Sequence, residues 1–163
     1  MSIKKIFPLD PYNIEHLKII EGIINNSDFE TYFCNELLNI RNSFSKEEYL
    51  AIKRKANEVE EILLIEDNSK LVDYCYIRGE KDLKLCQVTF PESGINYKGS
   101  IPLITMYAQN DLNFEEIFIK VNVNDKNNSK KLQDLGFEFI GEEAGNIIFL
   151  KEKDQKIDIQ RKI

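Results

Sequence analysis

The sequence is poor in the residues on which most metal and redox sites depend. Its 163 residues include one histidine, three cysteines and no tryptophan, and no C-x-x-C pair occurs. A structural zinc site needs about four Cys or His ligands at short spacings, so we do not expect a metal site. Catalysis by a cysteine–histidine pair would depend on His16 alone, which lies among apolar neighbours in a predicted helix and is interpreted as structural.

Long apolar segments and an excess of positive charge are also lacking. No apolar run approaches the roughly 20 residues that cross a bilayer, and the start "MSIKKIFPLD" lacks the apolar stretch of a secretory signal. We therefore expect a cytoplasmic protein without a membrane partner. Lys and Arg total 22 against 28 Asp and Glu, a net charge of -6, which disfavours nucleic-acid binding because phosphates would be repelled.

The chain does have the composition of a folded domain. Hydrophobic residues make up 42% and charged residues 31% of the sequence, and the length suits one compact unit. The last segment, "DQKIDIQRKI", is strongly charged. The sequence therefore predicts a single domain over residues 1–153 and a charged tail over residues 154–163.

The first third of the chain is predicted to be mainly helical. Residues 3–9 are apolar enough for a short strand. Asp10 followed by Pro11 is typical of a helix start, and apolar residues then recur at helical spacing. A second helix carries its apolar face over residues 29–44. Ser45 with Glu48 matches a capping box, which predicts a third helix from residue 46 to about residue 57.

The middle of the chain is predicted to form a three-strand antiparallel meander over residues 62–65, 71–77 and 83–90. If its second turn is centred between Glu80 and Lys81, Cys75 and Cys86 lie directly opposite each other. Two interpretations remain open. The pair is either two buried thiols in a reducing compartment or a redox pair.

The last third predicts a helix, a strand, a second helix and a hairpin. "IPLITMYAQNDL" has helical spacing, with Pro102 limiting its start. "EEIFIKVNV" is typical of a strand, and "NNSKKLQDLGF" of a helix that Gly136 ends in a left-handed conformation. "FEFIGEEAGNIIFLKEK" then predicts the hairpin. The fold class is therefore α/β (α+β), with a mixed, mostly antiparallel central sheet and helices on both faces.

This order of elements resembles the GCN5-related N-acetyltransferase (GNAT) family. "IFIKVNVNDKNNSKKLQDLGFEFIGEE" is similar to the family's closing strand, Asn-containing loop, helix and hairpin. "LLIEDNSKLVDYCYI" is similar to its second and third strands, and "QVTFPE" to the end of its fourth. The resemblance implies a GNAT-like acyl-CoA N-acyltransferase fold and transfer of an acetyl group from acetyl-CoA to a primary amine of a small molecule or peptide.

The resemblance also implies where the cofactor binds. In the family the fourth and fifth strands separate, and the pantetheine arm bonds the exposed backbone of the fourth. The pyrophosphate lies on a loop at a helix N-terminus, of which only Gly99 matches the family pattern here. The implied cofactor-binding residues lie on the fourth strand, in that loop and at the start of the later helix: Val88, Phe90, Asn96, Tyr97, Lys98, Gly99, Ser100, Asn127 and Asn128.

The proton-transfer groups are less clearly implied. In many members of the family, a tyrosine that protonates the leaving thiolate lies at the position where this chain has Leu132. Attack on a thioester needs a neutral amine, and Glu92, just beyond the fourth strand, is the predicted catalytic base. Asp73 and Glu138 are alternatives.

Each of these assignments has a plainer reading. Glu92 could be a solvated loop charge, and Gly99 an ordinary turn residue. Asn124, Asn127 and Asn128 could cap the helix that follows.

Two functions are therefore kept. The first is an acetyltransferase, for which the acidic chain favours a cationic acceptor and a homodimer is compatible. The second is a catalytically inactive GNAT-like binding module for a protein or small ligand, with the cofactor cleft filled by Ile101 or Met106.

Overall fold

A computed structural model of the chain describes residues 4–24, 28–90 and 97–153. Within these ranges the α-helices are α1 (Ile14–Ile24), α2 (Asp28–Ser43), α3 (Lys46–Lys55), α4 (Tyr97–Met106) and α5 (Lys126–Asp134), and a π-helical turn over Tyr107–Asp111 extends α4. The strands of the same ranges are β1 (Lys4–Pro8), β2 (Glu58–Asp67), β3 (Lys70–Glu80), β4 (Leu85–Thr89), β5 (Glu116–Asn122), β6 (Glu138–Glu143) and β7 (Asn146–Glu152). The predicted tail over residues 154–163 lies outside the described residues.

All seven strands belong to one sheet with the order β1-β2-β3-β4-β5-β7-β6. The β4–β5 pair is parallel, and the other five neighbouring pairs are antiparallel. Two apolar clusters form the core, one on each face. One includes residues of α4 and α5, and the other includes residues of α1, α2 and α3. The predicted fold class, a mixed and mostly antiparallel sheet with helices on both faces, is confirmed.

The predicted helix start at Asp10 and Pro11 is wrong by several residues. The Asp10 carboxylate instead accepts the backbone N–H of Tyr12 at 2.9 Å, which closes a turn. Helix α1 begins at Ile14, where the side chain of Asn13 accepts the backbone N–H of Glu15 at 2.9 Å. Asp and Asn side chains serve both turns and caps, so the sequence alone did not show which of the two would start the helix.

His16 has the structural role that the sequence predicted. Its Nδ1 accepts the backbone N–H of Asp10 at 2.9 Å. Its ring stacks on Phe7, with 5.5 Å between the ring centroids. The histidine therefore ties the start of α1 to the end of β1.

The antiparallel meander is confirmed, but its second turn is not where the sequence placed it. Gly79 lies opposite Cys86, and Glu80 opposite Leu85. Cys75 therefore does not face Cys86, and both are buried thiols. The register differs because residues 81–84 form the turn, held by Asn57. The carbonyl of Asn57 accepts the N–H of Lys81 at 2.9 Å.

The predicted start of α4 at Pro102 is also wrong. The helix begins at Tyr97 and includes Pro102 in its interior. Proline there removes one intrahelical hydrogen bond. The apolar face carrying Ile101, Ile104 and Ala108 is fully or almost fully buried, and burial of this face offsets the lost bond.

The end of the fold follows the prediction closely. Gly136 has φ +93, and the N–H of Phe137 bonds the carbonyl of Leu132 at 3.0 Å, which closes α5. Ala144 and Gly145, with φ of 50 and 80, form the turn between β6 and β7. No helix within the described ranges is both long and apolar enough to cross a membrane.

Candidate active site

The parallel strands β4 and β5 stop pairing before either strand ends. They pair from Leu85 opposite Glu116 as far as Val88 opposite Ile119. Beyond that point β4 continues to Thr89, which pairs with β3 only. Strand β5 continues to Asn122 and pairs with β7 only. Main-chain amides that lose a neighbouring strand can bond an extended ligand, and we call the region in which β4 and β5 are no longer paired the slot.

The two faces of the sheet at the slot differ. Val88, Ile119 and Val121 belong to the apolar cluster that includes residues of α4 and α5. Because successive side chains of a strand alternate between faces, Thr89 and Phe118 point the other way. They line an open groove of about 620 Å³. The slot therefore lies between a helix-covered face and an open groove.

We call this space the open groove; strands β2 to β5 line it. Its lining residues are Glu58, Tyr76, Arg78, Gly79, Glu80, Leu85, Gln87, Thr89 and Phe118.

The charged groups of the open groove are partly paired. The Arg78 guanidinium lies 3.7 Å from a Glu58 oxygen and 3.8 Å from a Glu60 oxygen. Arg78 is thus one cation beside three carboxylates, which are Glu58 and Glu80 of the groove and the adjacent Glu60. This leaves the groove with an excess of negative charge, which suits a cationic ligand.

The predicted cofactor-binding residues that the structure describes lie on or directly after β4, at the start of α4 and in α5. Val88 is the last β4 residue that pairs with β5 and is buried. Phe90 follows β4 and packs against the cluster under α4 and α5. Asn96 and Glu92 lie outside the described residues.

The first turn of α4 contains Tyr97, Lys98, Gly99 and Ser100. The first four N–H groups of a helix have no intrahelical acceptor, so this turn can bind an anion through its backbone. Ser100 is buried. The side chains of residues 97–99 lie outside the described residues.

The N-cap of α5 is not one of the three asparagines that the sequence offered as capping residues. Asp125 is the N-cap, and its side chain accepts the N–H of Asn128 at 3.1 Å. The Asn128 side chain in turn donates to Asp125 at 2.6 Å. Asn127 is exposed in the first turn of α5. Asn124 lies before the helix and donates its backbone N–H to Asn122 at 2.9 Å.

The remaining predicted groups are separated from the open groove. Leu132, at the position of the family's acidic tyrosine, is fully buried in the core. Glu138 is exposed on β6, an edge strand of the sheet. The side chain of Asp73 lies outside the described residues. Ile101 is part of the core, whereas Met106 is exposed and fills no cleft.

Sequence reasoning missed Tyr76, Arg78 and Glu60. Tyr76 and Arg78 alternate along β3 with Cys75 and Ile77, which belong to the apolar cluster under α4 and α5. That alternation of polar and apolar residues is a signal for a second, functional face, but the incorrect register of the meander hid which β4 residues they meet.

A larger cleft of about 1050 Å³ is lined mainly by residues of α2, α3 and the start of β2, and it shares Glu58 with the open groove. The buried Glu61 carboxylate there accepts hydrogen bonds from Lys53 at 3.1 Å and from Tyr107 at 2.6 Å. Burial lowers the pKa of Lys53, but the attraction and the hydrogen bonds of Glu61 and Tyr49 together outweigh burial, and the pKa is raised. Burial, and then the bond to Glu61, raise the pKa of Tyr107. We interpret this closed network as structural.

No group of His, Cys, Asp and Glu residues in the described ranges could hold a metal ion. No model of a known protein family matches the chain, and the search of curated proteins found no match.

Solved structures do resemble the chain. The N-acetyltransferase PseH of Campylobacter jejuni, in complex with acetyl coenzyme A, matches with a TM-score of 0.57 and 11% identity, over 93% of this chain and 100% of that chain. Mutant forms of the spermidine/spermine N-acetyltransferase SpeG of Vibrio cholerae match with a TM-score of 0.65 and 14% identity, over 96% and 99%. PaiA N-acetyltransferase of Thermoplasma acidophilum, in complex with coenzyme A, matches with a TM-score of 0.52 and 15% identity, over 93% and 99%. The chain therefore has the fold of the GCN5-related N-acetyltransferases.

Proposed function

We propose that this protein belongs to the GNAT family and transfers the acetyl group of acetyl-CoA to a primary amine of a small molecule or peptide. The observation that carries the proposal is the slot that begins after Val88 and Ile119, with an open groove beside it. Structures of the same fold bind acetyl coenzyme A or coenzyme A, which supports acetyl-CoA as the co-substrate.

The arm of acetyl-CoA would lie in the slot, with its amides bonded to the backbone of β4 around Val88 and Phe90. The first turn of α4, from Tyr97 to Ser100, would hold the pyrophosphate with Asn96, and Asn127 and Asn128 would border the cofactor. The amine nitrogen attacks the thioester carbon, the C–N bond forms, the C–S bond breaks, and coenzyme A leaves as the thiolate. Glu92 remains a proposed base for this step.

The acceptor would enter through the open groove. Its uncompensated carboxylates support an amine with a positive charge, by steering the approach. Spermidine and spermine are the substrates named for SpeG, which supports a small cationic amine over a neutral one. Equal rates for neutral and cationic amines across a salt series would contradict this preference.

Isothermal titration with acetyl-CoA, followed by an assay for released thiol with a panel of primary amines, tests the function. Binding together with amine-dependent thiol release is the expected result. No heat and no thermal shift at millimolar acetyl-CoA would remove the enzymatic proposal. Binding without transfer to any amine would favour the inactive binding module instead.

The location in the cytoplasm and the homodimer also remain proposals. The three cysteines are buried thiols, which suits a reducing compartment. Light scattering of the purified protein would measure the mass and decide whether it is a monomer or a dimer.

A further inference from the structure

Tyr76 lies where the open groove meets the slot. Its partner on β4 is Thr89, which directly follows the last residue of β4 that pairs with β5. Tyr76 and Thr89 both line the groove. Tyr76 therefore lies one strand away from the point at which β4 and β5 stop pairing.

The Tyr76 side chain is held in one position from two sides. Its ring meets Phe33 of α2 edge to face, at 5.4 Å between centroids and 72° between planes. Its side chain is hydrogen-bonded to that of Glu60 on β2, and because a carboxylate can only accept, the phenol is the donor. The residue as a whole is only 5% exposed. Burial first, and then Glu60, raise the pKa of Tyr76, so the phenol keeps its proton unless another proton replaces it.

Glu60 connects this phenol to solvent. Its side chain is 30% exposed, so a proton received there can pass to water. The charged groups that face the pair are Arg78 on β3, whose Nε lies 3.8 Å from Glu60, and Glu36 on α2. Glu58 shares Arg78 at 3.7 Å.

We propose that Tyr76 takes the proton of the acceptor amine while it passes its own proton to Glu60, an assignment that rests on the proposed acetyltransferase function. The amine N–H bond breaks toward the phenol oxygen as the phenol O–H bond breaks toward the carboxylate. The freed lone pair forms the C–N bond to the acetyl carbon, the C–S bond breaks, and the excess proton that remains on the acylated nitrogen passes to the leaving thiolate. The proton on Glu60 then leaves to water, and no phenolate forms at any stage. In this inference Tyr76, in place of Glu92, is the catalytic residue that receives the amine proton, and Glu60 acts through Tyr76.

Two conservative substitutions test the proposal. Tyr76→Phe keeps the ring packing but removes the hydroxyl, and Glu60→Gln keeps a hydrogen-bond acceptor that cannot take the proton. General base catalysis contributes about 100-fold or more, so each variant should lose about that factor in kcat at neutral pH. Because both act on one path, the double variant should lose no more than either single variant. The titrated affinity for acetyl-CoA should not change.

The matched controls are Tyr74→Phe, on the same strand two residues away, and Glu66→Gln, further along β2. Neither residue lines the open groove, and kcat should be unchanged in both. Circular dichroism and thermal unfolding of all variants identify any that fail to fold.

The pH profile separates a proton path from a merely structural role. An amine with a pKa near 10 is almost entirely an ammonium ion at neutral pH and about half neutral at pH 10. The defect of Tyr76→Phe should therefore shrink as the pH rises, and it should be small at neutral pH with an acceptor of low basicity. A structural defect would be the same at every pH and with every acceptor.

Three results would overturn the inference while the wild-type enzyme remains active. These are full activity of Tyr76→Phe, a pH-independent defect, or loss of activity in Glu92→Gln with full activity in Glu60→Gln. If the wild-type protein acetylates no amine, the proposed function itself has failed. The two failures are therefore distinguishable.

Discussion

Gly79 is the residue on which the close packing beside the β3–β4 turn depends. A Cβ atom there would lie 2.6 Å from the Leu85 carbonyl oxygen, 2.6 Å from the Phe114 ring and 2.8 Å from the Cys86 Cβ. Phe114 is fully buried and precedes β5. The absent side chain thus lets Phe114 pack against the hairpin that positions β4 beside β5.

We predict that Gly79→Ala lowers the free energy of unfolding by about 1–3 kcal/mol, because overpacking forces the neighbouring backbone to move. Urea denaturation measures the change. Gly141→Ala is the matched control, since nothing lies within 4 Å of its added Cβ, and it should change stability by less than about 0.5 kcal/mol. Equal effects of the two substitutions would contradict this account of Gly79.

The three cysteines give a second residue-scale prediction. Cys34, Cys75 and Cys86 are fully buried, and burial raises the pKa of Cys86 to about 12. The thiolate is the reactive form, so an aromatic disulfide reagent at pH 8 should react slowly with the native protein and rapidly with all three thiols in urea. Rapid reaction of any of the three thiols in the native protein would contradict this account of their burial.

At the scale of single elements, the sequence around α3 was sufficient to predict where that helix begins. The sequence around the β3–β4 turn was not sufficient to predict the register of the two strands. Ser45 and Glu48 lie three residues apart, and both hydrogen bonds of the capping box are present. The turn depends on Asn57, which is distant from residues 81–84 in the sequence. Its side chain accepts the N–H of Asp82 at 2.9 Å. A local pattern cannot include such a partner, and the predicted register failed for that reason.

The capping box makes α3 stability depend on pH. The hydrogen bond from the Ser45 backbone N–H, and then its side chain, lower the pKa of Glu48 from 4.5. A lowered folded-state pKa gives stability that is fully present above the unfolded pKa and is lost as the pH falls through the folded value. Urea unfolding from about pH 6 to about pH 3 should therefore show a loss that is smaller in Glu48→Gln, whose amide does not titrate. The same pH dependence in both proteins would contradict this role.

Replacing the other partner tests the cap without changing charge. Ser45→Ala should lower the free energy of unfolding by about 1 kcal/mol, because the N–H of Glu48 loses its side-chain acceptor. Ser129→Ala is a comparison in a helix interior, where the hydroxyl only donates back to the Asp125 carbonyl at 3.0 Å. If Ser45→Ala cost no more than Ser129→Ala, the cap would contribute little.

At the scale of the whole molecule, the order of elements could be predicted, whereas the open groove could not. The element order and the closing helix and hairpin carry patterns that the sequence displays directly. Glu60, Tyr76 and Gln87 come from three strands and meet only through the register of the sheet. The point at which β4 and β5 stop pairing has no local signature either, since it depends on how two distant strands diverge.

Hydrogen exchange of backbone amides, measured with and without acetyl-CoA, tests the central claim most directly, because it reports both binding and its position. The account predicts slower exchange around Val88 and Phe90 and in the first turn of α4, with the α2–α3 side of the sheet unchanged. No change anywhere at millimolar acetyl-CoA, or protection confined to the α2–α3 cleft, would contradict it.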